Sequence, residues 1–160
     1  MRARFLADMA NKHGWAKGAE IGLWYGKTFF HLLDAGLSMV GVDIWIPGHQ
    51  YHNDVMANRA RILCRAYEYG DRARIIELPS IEAAELVENG SLDFVFIDGD
   101  HSLPGVCADI QSWSPKVREG GFVTGHDWDI PSVREAVKIC LPDAIPGDET
   151  NDFVWIWEKP

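Results

Sequence analysis

Apolar positions along the chain follow two rhythms. Short apolar runs rich in β-branched and aromatic residues read as strands, and longer stretches with apolar residues three and four apart read as helices. The clearest run is Phe94-Val95-Phe96-Ile97, apolar at every position. A strand of that kind is buried on both faces, as in a parallel sheet. Residues 1–13 predict a short amphipathic helix with Phe5, Leu6 and Met9 on one side, stopped by Gly14. A strand over 18–22 follows, then a helical stripe of Phe29, Leu32 and Leu33 ending at Gly36, then a strand over 38–45. A loop over 46–52 leads to a helix over about 53–69, with Met56, Ala60, Leu63 and Tyr67 as its apolar stripe. A strand over 74–78 precedes a helix that Ser80 caps and Asn89-Gly90 closes. Beyond the Phe94–Ile97 run come a helix carrying Val106, Cys107, Ile110 and Trp113, a strand over 120–125, and a helix carrying Val133, Ala136, Val137 and Cys140. Residues 152–158 form a closing strand, with 144–150 as a further strand beside it. Strands alternating with helices predict a doubly wound α/β sheet, Rossmann-like and mostly parallel, with helices on both faces.

Composition narrows the possibilities. A length of 160 residues is one domain with room for a core. No stretch approaches the roughly 20 apolar residues of a membrane span, and no apolar signal core follows the basic residues Arg2 and Arg4. A cytosolic protein with no membrane partner is expected. The net charge of −9 argues against a nucleic-acid partner, since phosphate binding needs a positive surface. Arg59, Arg61, Arg65, Arg72 and Arg74 form the one basic cluster, read as a solvated face. Cys64, Cys107 and Cys140 are odd in number and without a Cys-x-x-Cys pair, and they read as buried reduced thiols.

Candidate chemistry gathers at predicted strand ends. In open α/β sheets, ligands bind outside the carboxyl ends of the strands. Those ends carry Glu20 and the turn Gly22-x-x-x-Gly26, then Asp43, then Ser80, then Asp98, Asp100 and His101, then His126 and Asp127. A turn accounts for one Asp and Gly99 but not for two carboxylates and an imidazole together. The glycine pattern is not Gly-x-Gly-x-x-Gly, so a dinucleotide pyrophosphate is poorly served. An acidic rim repels phosphate and suits a ligand with ribose hydroxyls, an ammonium and a positive centre. S-adenosylmethionine has those features, with Asp43 placed to accept the ribose hydroxyls.

Four segments carry a family resemblance: Ala19-Glu20-Ile21-Gly22-Leu23-Trp24-Tyr25-Gly26, Val42-Asp43, Asp93 through His101, and Gly120-Gly121-Phe122-Val123-Thr124-Gly125-His126-Asp127. In order and spacing they resemble class I S-adenosylmethionine-dependent methyltransferases, most closely the small group related to catechol and macrocin O-methyltransferases. The resemblance implies one methyltransferase domain over 1–160, with an N-terminal helix in 1–14 and a cofactor-binding core in 15–160. It implies a seven-stranded sheet whose last strand is antiparallel. It implies Glu20 and Gly22 beside the methionine part of S-adenosylmethionine, with Trp24 and Gly26 in the same turn, Asp43 at the ribose, Ser80 and Ile81 near the adenine, and Asp98 and Asp100 facing the cofactor. In metal-dependent relatives an Asp after the fourth strand and a pair after the fifth hold a divalent ion. Asp98, His126 and Asp127 match, leaving Mg²⁺ or Mn²⁺ open, with His126 where those relatives often have an acid.

The expected chemistry is direct methyl transfer to an oxygen of a small-molecule acceptor, with His101 or His126 as base and Asp98 beside the reacting groups. The chain is little more than a cofactor-binding core, so the acceptor is small, or the site is open, or a second subunit of a homo-oligomer completes it. Two alternatives stand beside this: a non-catalytic S-adenosylmethionine-binding module and a nicotinamide-dependent oxidoreductase. Trp24, Trp45 and Trp128 are candidates to stack on adenine or wall the acceptor site.

Overall fold

The computed structural model describes residues 1–46 and 54–160. Helix α1 (Arg2–His13) leads into strand β1 (Lys17–Ile21), helix α2 (Lys27–Asp34) and strand β2 (Ser38–Val42). Helix α3 (Val55–Tyr67), strand β3 (Ala73–Ile76), helix α4 (Ser80–Glu85) and strand β4 (Leu92–Ile97) follow. Helix α5 (Leu103–Trp113), strand β5 (Val117–Gly125), helix α6 (Pro131–Cys140) and strand β6 (Trp155–Glu158) complete the chain. The sheet runs β3-β2-β1-β4-β5-β6, parallel except for β6, which is antiparallel to β5. The strand order therefore reverses between β1 and β4. In open α/β sheets such a reversal, outside the carboxyl ends of the two strands, is where ligands bind.

Residue alternation explains why β4 lies at the centre. Phe94 and Phe96 pack with Leu6, Phe29, Leu32 and Leu33 on one face, while Val95 and Ile97 pack with Ile110, Trp113 and Val137 on the other. None of these four strand residues is more than 4% exposed. Capping fixes where the helices start and stop. Ser102 accepts the Gly105 N–H at the head of α5, with Pro104 in its first turn, and Gly14 ends α1 at φ 67°.

Three expectations need correction. The described residues hold six strands, not seven. In place of the strand expected over 144–150, Ile145 alone exchanges backbone hydrogen bonds with Ile156. The neighbouring Pro146 has no N–H to offer a ladder, and the Asp148 side chain then draws the backbone into a tight turn at Glu149–Asn151. The apolar stripe of α3 is out by about one position. Val55, Asn58, Ile62 and Ala66 are buried, whereas Met56 and Tyr67 are exposed. For the same reason Cys64 lies exposed and not in the core. Most of the loop expected over 46–52 lies outside the described residues.

Candidate functional site

The carboxyl ends of β1, β2, β4 and β5 bring the predicted site residues to one rim, and each is held there by a backbone feature. Glu20 is the fourth residue of β1 and is 2% exposed. Burial, and then Asp98 nearby, push its pKa well above the ordinary carboxyl value. Its Oε2 has no hydrogen-bond partner among the described residues. Gly22 turns the chain out of β1 at φ 88°, with its N–H donating to the Val42 carbonyl. A Cβ here would lie 2.3 Å from the Asp98 carbonyl oxygen. Only glycine allows the β1 turn to lie against the β4 exit this closely.

Asp43, one residue beyond β2, is the anchor of that turn. Its Oδ2 accepts the N–H groups of Leu23 and Trp24 at 3.0 Å each, and its Oδ1 accepts the Trp45 N–H at 2.9 Å. Trp24 and Trp45 both have positive φ, 47° and 40°. These hydrogen bonds secure two backbone conformations that large side chains disfavour. Two acceptor positions on Oδ2 are filled, and Oδ1 retains one lone pair. Asp43 therefore has room for one further donor on Oδ1. Gly26, at φ 70°, starts α2.

Ser80 is tied inward. Its Oγ accepts the Trp113 Nε1–H at 2.8 Å and its hydroxyl donates to the Asp109 carboxyl. Asp109 is 5% exposed, and burial lifts its pKa to about 6 against the opposing hydrogen bond from Ser80. Ile81 beside it stands exposed. Asp100 turns back on its own chain, where its two oxygens accept the backbone N–H and the hydroxyl of Ser102.

The β4 and β5 ends meet in a charged cluster. His101 Nε2 lies 2.7 Å from Asp127 Oδ2, and His126 Nδ1 lies 2.7 Å from Asp127 Oδ1. Asp127 itself sits at φ 59°, a left-handed position that Asp tolerates better than most residues. Burial raises the Asp127 pKa, but the two imidazoles win and hold it well below the usual carboxylate range. The hydrogen bond to Asp127 raises the pKa of His101. At His126, burial disfavours the charged ring, yet hydrogen bonds to Asp127 and Asp98 push its pKa up to about 9. The guanidinium of Arg2 faces the other ring nitrogen. Arg2 Nη1 lies 3.2 Å from His126 Nε2, where a second ring proton would set two cations in contact.

Arg2 also reaches Asp98, with Nη2 3.1 Å from Oδ2. The remaining oxygen, Asp98 Oδ1, lies 3.5 Å from His126 Nδ1. Ligand atoms of Asp98, His101 and Asp127 fall within 4.8 Å of one another, a donor set of the type a divalent ion takes. Yet all four oxygens of the two carboxylates already face a nitrogen donor of the chain. Each of these oxygens keeps a second lone pair, but the His101 nitrogen that would ligate is turned onto Asp127 at 2.7 Å, so a divalent ion does not fit beside both carboxylates and His101 without breaking that contact.

Other predicted features serve the fold. Arg59 pairs with Glu77 and Arg65 with Asp34, while Arg72 and Arg74 donate to backbone carbonyls. Trp45 and Trp155 are buried, and Trp128 stacks under Lys138. Trp24 is 47% exposed on the rim. A hollow of about 430 Å³ lies at the amino-terminal ends of β1, β2 and β4, bounded by Lys17, Ser38, Arg72 and Leu92, on the far side of the sheet from the acidic rim. Sequence reading did not find Arg2, Thr28 or Asp109. Arg2 and Thr28 carried no local signal, while Asp109 could have been flagged as a carboxyl beside Ile110 on the buried side of a helix.

Residues 19–128 match a family model described as a methyltransferase domain. Uncharacterized protein y4gI of Sinorhizobium fredii is 26% identical over 124 residues, a match that takes in 69% of this chain. The chain spans 13% of that relative's length. Among solved structures, a Staphylococcus aureus protein provisionally named a caffeoyl-CoA O-methyltransferase superposes with TM-score 0.75 at 16% identity, over 99% of this chain and 82% of the other. The methyltransferase PaMTH1 of Podospora anserina, solved with S-adenosylhomocysteine, gives 0.72 at 14% identity, over 99% and 78%. A Klebsiella pneumoniae protein provisionally named an O-methyltransferase gives 0.70 at 17% identity, over 99% and 80%. These structures share the fold.

Proposed function

The chain belongs to the methyltransferase-domain family, and from that premise we propose that it transfers a methyl group from S-adenosylmethionine to an oxygen of a small-molecule acceptor. The cradle between β1 and β4 carries this reading. A buried carboxyl with an unpartnered oxygen, Glu20, lies beside a turn in which Gly22 leaves no room for a Cβ. Such a cradle suits a ligand with an ammonium group and a backbone-like carboxylate, held close to the sheet. Asp43 keeps one lone pair on Oδ1 for a ribose hydroxyl. Exposed Ile81 and Trp24 offer apolar surface near the rim for a purine. When bound, S-adenosylmethionine supplies an activated methyl on a sulfonium.

The chain's own part is to position the acceptor and take its proton. His101 is the better placed base. Its imidazole is half exposed, and Asp127 on Nε2 orients the ring and stabilises the imidazolium that forms when Nδ1 takes the acceptor's proton. His126 is only 14% exposed and faces Arg2, so it is better placed to hold Asp127. Most of the rate is expected from holding donor and acceptor in attack geometry.

Calorimetry with S-adenosylmethionine and S-adenosylhomocysteine is the first test, followed by methyl transfer to a panel of small hydroxylated acceptors. Binding of both ligands is expected, as is turnover that His101→Gln reduces by 10²-fold or more, on the scale of general-base losses. Failure to bind either ligand overturns the proposal. Binding without turnover across the panel leaves a cofactor-binding module instead.

A further inference from the structure

We propose that Arg2 is the resident cation of the rim, holding the place beside Asp98 and His126 that a divalent ion would take and closing the cluster to such ions. This deepens the methyltransferase reading and rests on it only for the role of the rim. The guanidinium makes three side-chain contacts to three separate elements. Nη2 meets Asp98 Oδ2 at the end of β4 at 3.1 Å, Nη1 meets His126 Nε2 at the end of β5 at 3.2 Å, and Nε meets the hydroxyl of Thr28 in the first turn of α2 at 3.4 Å. Thr28 is 2% exposed, so that hydroxyl has little water to turn to. The backbone N–H of Arg2 donates to Asp152 at 3.2 Å, fixing the start of α1 on the same rim. Arg2 also lowers the pKa of Glu20, against the effects of Asp98 and Asp43.

Its placement is enforced by packing. Leu6, Ala7 and Ala10 of α1 are buried in the core with Phe29, Leu32 and Leu33 of α2. The cation is therefore tethered, with an effective local concentration at or above the mM range. A free divalent ion with only two carboxylates and an imidazole to gain must expel it and leave Thr28 unpaired. An arginine is suited to the position, because its fork of five donors reaches the Asp98 carboxylate and the Thr28 hydroxyl together while its remaining arm lies against the His126 ring. A point-charge ion coordinated by Asp98 would give up the hydroxyl.

Mn²⁺ uptake by the full chain, read from loss of the free-ion electron paramagnetic resonance signal, tests the proposal without any acceptor. Wild type should take up no Mn²⁺ below about 1 mM, the range of weak oxygen-ligand sites. Arg2→Met should gain one ion bound at least about tenfold more tightly, and adding Asp98→Asn should abolish the gain. If Arg2→Met does not fold, as judged by its thermal transition, Arg2→Gln replaces it and should show the same gain. A wild-type chain that takes up one Mn²⁺ through Asp98 overturns the proposal, as does a folded Arg2 variant that gains none. Calorimetry with S-adenosylhomocysteine on the same samples separates the two claims. Loss of that binding in wild type sinks the methyltransferase reading and leaves the cation result standing.

Discussion

Asp109 offers the cleanest test of the energetics beneath the rim. It is an acid on the buried side of α5, 5% exposed, hydrogen-bonded by Ser80 and lifted from 3.8 to about 6 by burial. A carboxyl whose folded pKa exceeds its unfolded one binds protons more tightly in the native state. Stability from this group is therefore intact below pH 3.8 and falls as pH rises toward 6. The full loss is about 3 kcal/mol, at about 1.4 kcal/mol for each pH unit separating the two values. Roughly half is already lost at pH 5, so about 1.5 kcal/mol should go between pH 5 and pH 7.5. Asp109→Asn removes the titration and keeps an acceptor for the Ser80 hydroxyl. Urea unfolding followed by tryptophan fluorescence should show the gap between variant and wild type shifting in the variant's favour by about 1.5 kcal/mol over that interval. A fixed offset from an unsatisfied amide N–H, on the order of 1–3 kcal/mol, moves both pH values equally and leaves the slope untouched. A gap that stays constant with pH would refute the assignment of Asp109 as a buried, proton-retaining acid.

Two further substitutions probe the turn that forms the cradle. Gly22→Ala should cost about 1–2 kcal/mol for a side chain at positive φ and about 1–3 kcal/mol more for collision with the backbone of Asp98 and Gly99. Gly36→Ala, also at positive φ but with nothing within 4 Å, should show only the first cost. Equal unfolding midpoints for the two variants would mean the β1–β4 approach is not as close as described. Asp43→Ala should lower stability by several kcal/mol even without ligand, since three backbone donors lose a charged acceptor at ~1.5–3 kcal/mol each. Unchanged stability with weakened S-adenosylhomocysteine binding would make Asp43 purely a ligand contact.

The fold was largely legible because its strongest signals are local and repeated. Phe94 through Ile97 could only be a doubly buried strand, and each following strand end announced itself by a polar residue after an apolar run. Even the reversal of direction in the last strand followed from the family resemblance. The strand expected over 144–150 did not form because Pro146 and the Asp148 turn act on the backbone, while the apolar alternation around Ile145 and Ile156 speaks only of side chains. The stripe of α3 was misplaced because both of its faces carry apolar residues, and a buried Asn58 hid the true one. At the site, Glu20, Gly22, Asp43, Asp98, His126 and Asp127 do meet at one rim. What sequence could not supply was the internal accounting of hydrogen bonds. Asp43 spends most of its capacity on Leu23, Trp24 and Trp45, Ser80 on Trp113 and Asp109, and Asp100 on Ser102. None of these partners can be read from spacing alone.

Arg2 is the extreme case of that difficulty. It lies 26 residues from Thr28 and 124 from His126 along the chain, and its own neighbourhood reads as the basic start of an amphipathic helix. The physical pressure for it is nevertheless visible at the rim. Asp43, Asp98 and Asp127 sit on neighbouring strand ends in a cleft partly shielded from water, Glu20 beside them is pushed toward its neutral form, and His126 lies closer to Asp127, at 2.7 Å, than to Asp98, at 3.5 Å. A cation from outside the sheet relieves the charge that remains on Asp98. It could be a diffusible ion, or a side chain carried by whichever element packs across the edge. Helix α1 already covers that edge through Leu6 and Ala10. The guanidinium it carries can therefore be positioned by core packing that the fold requires in any case.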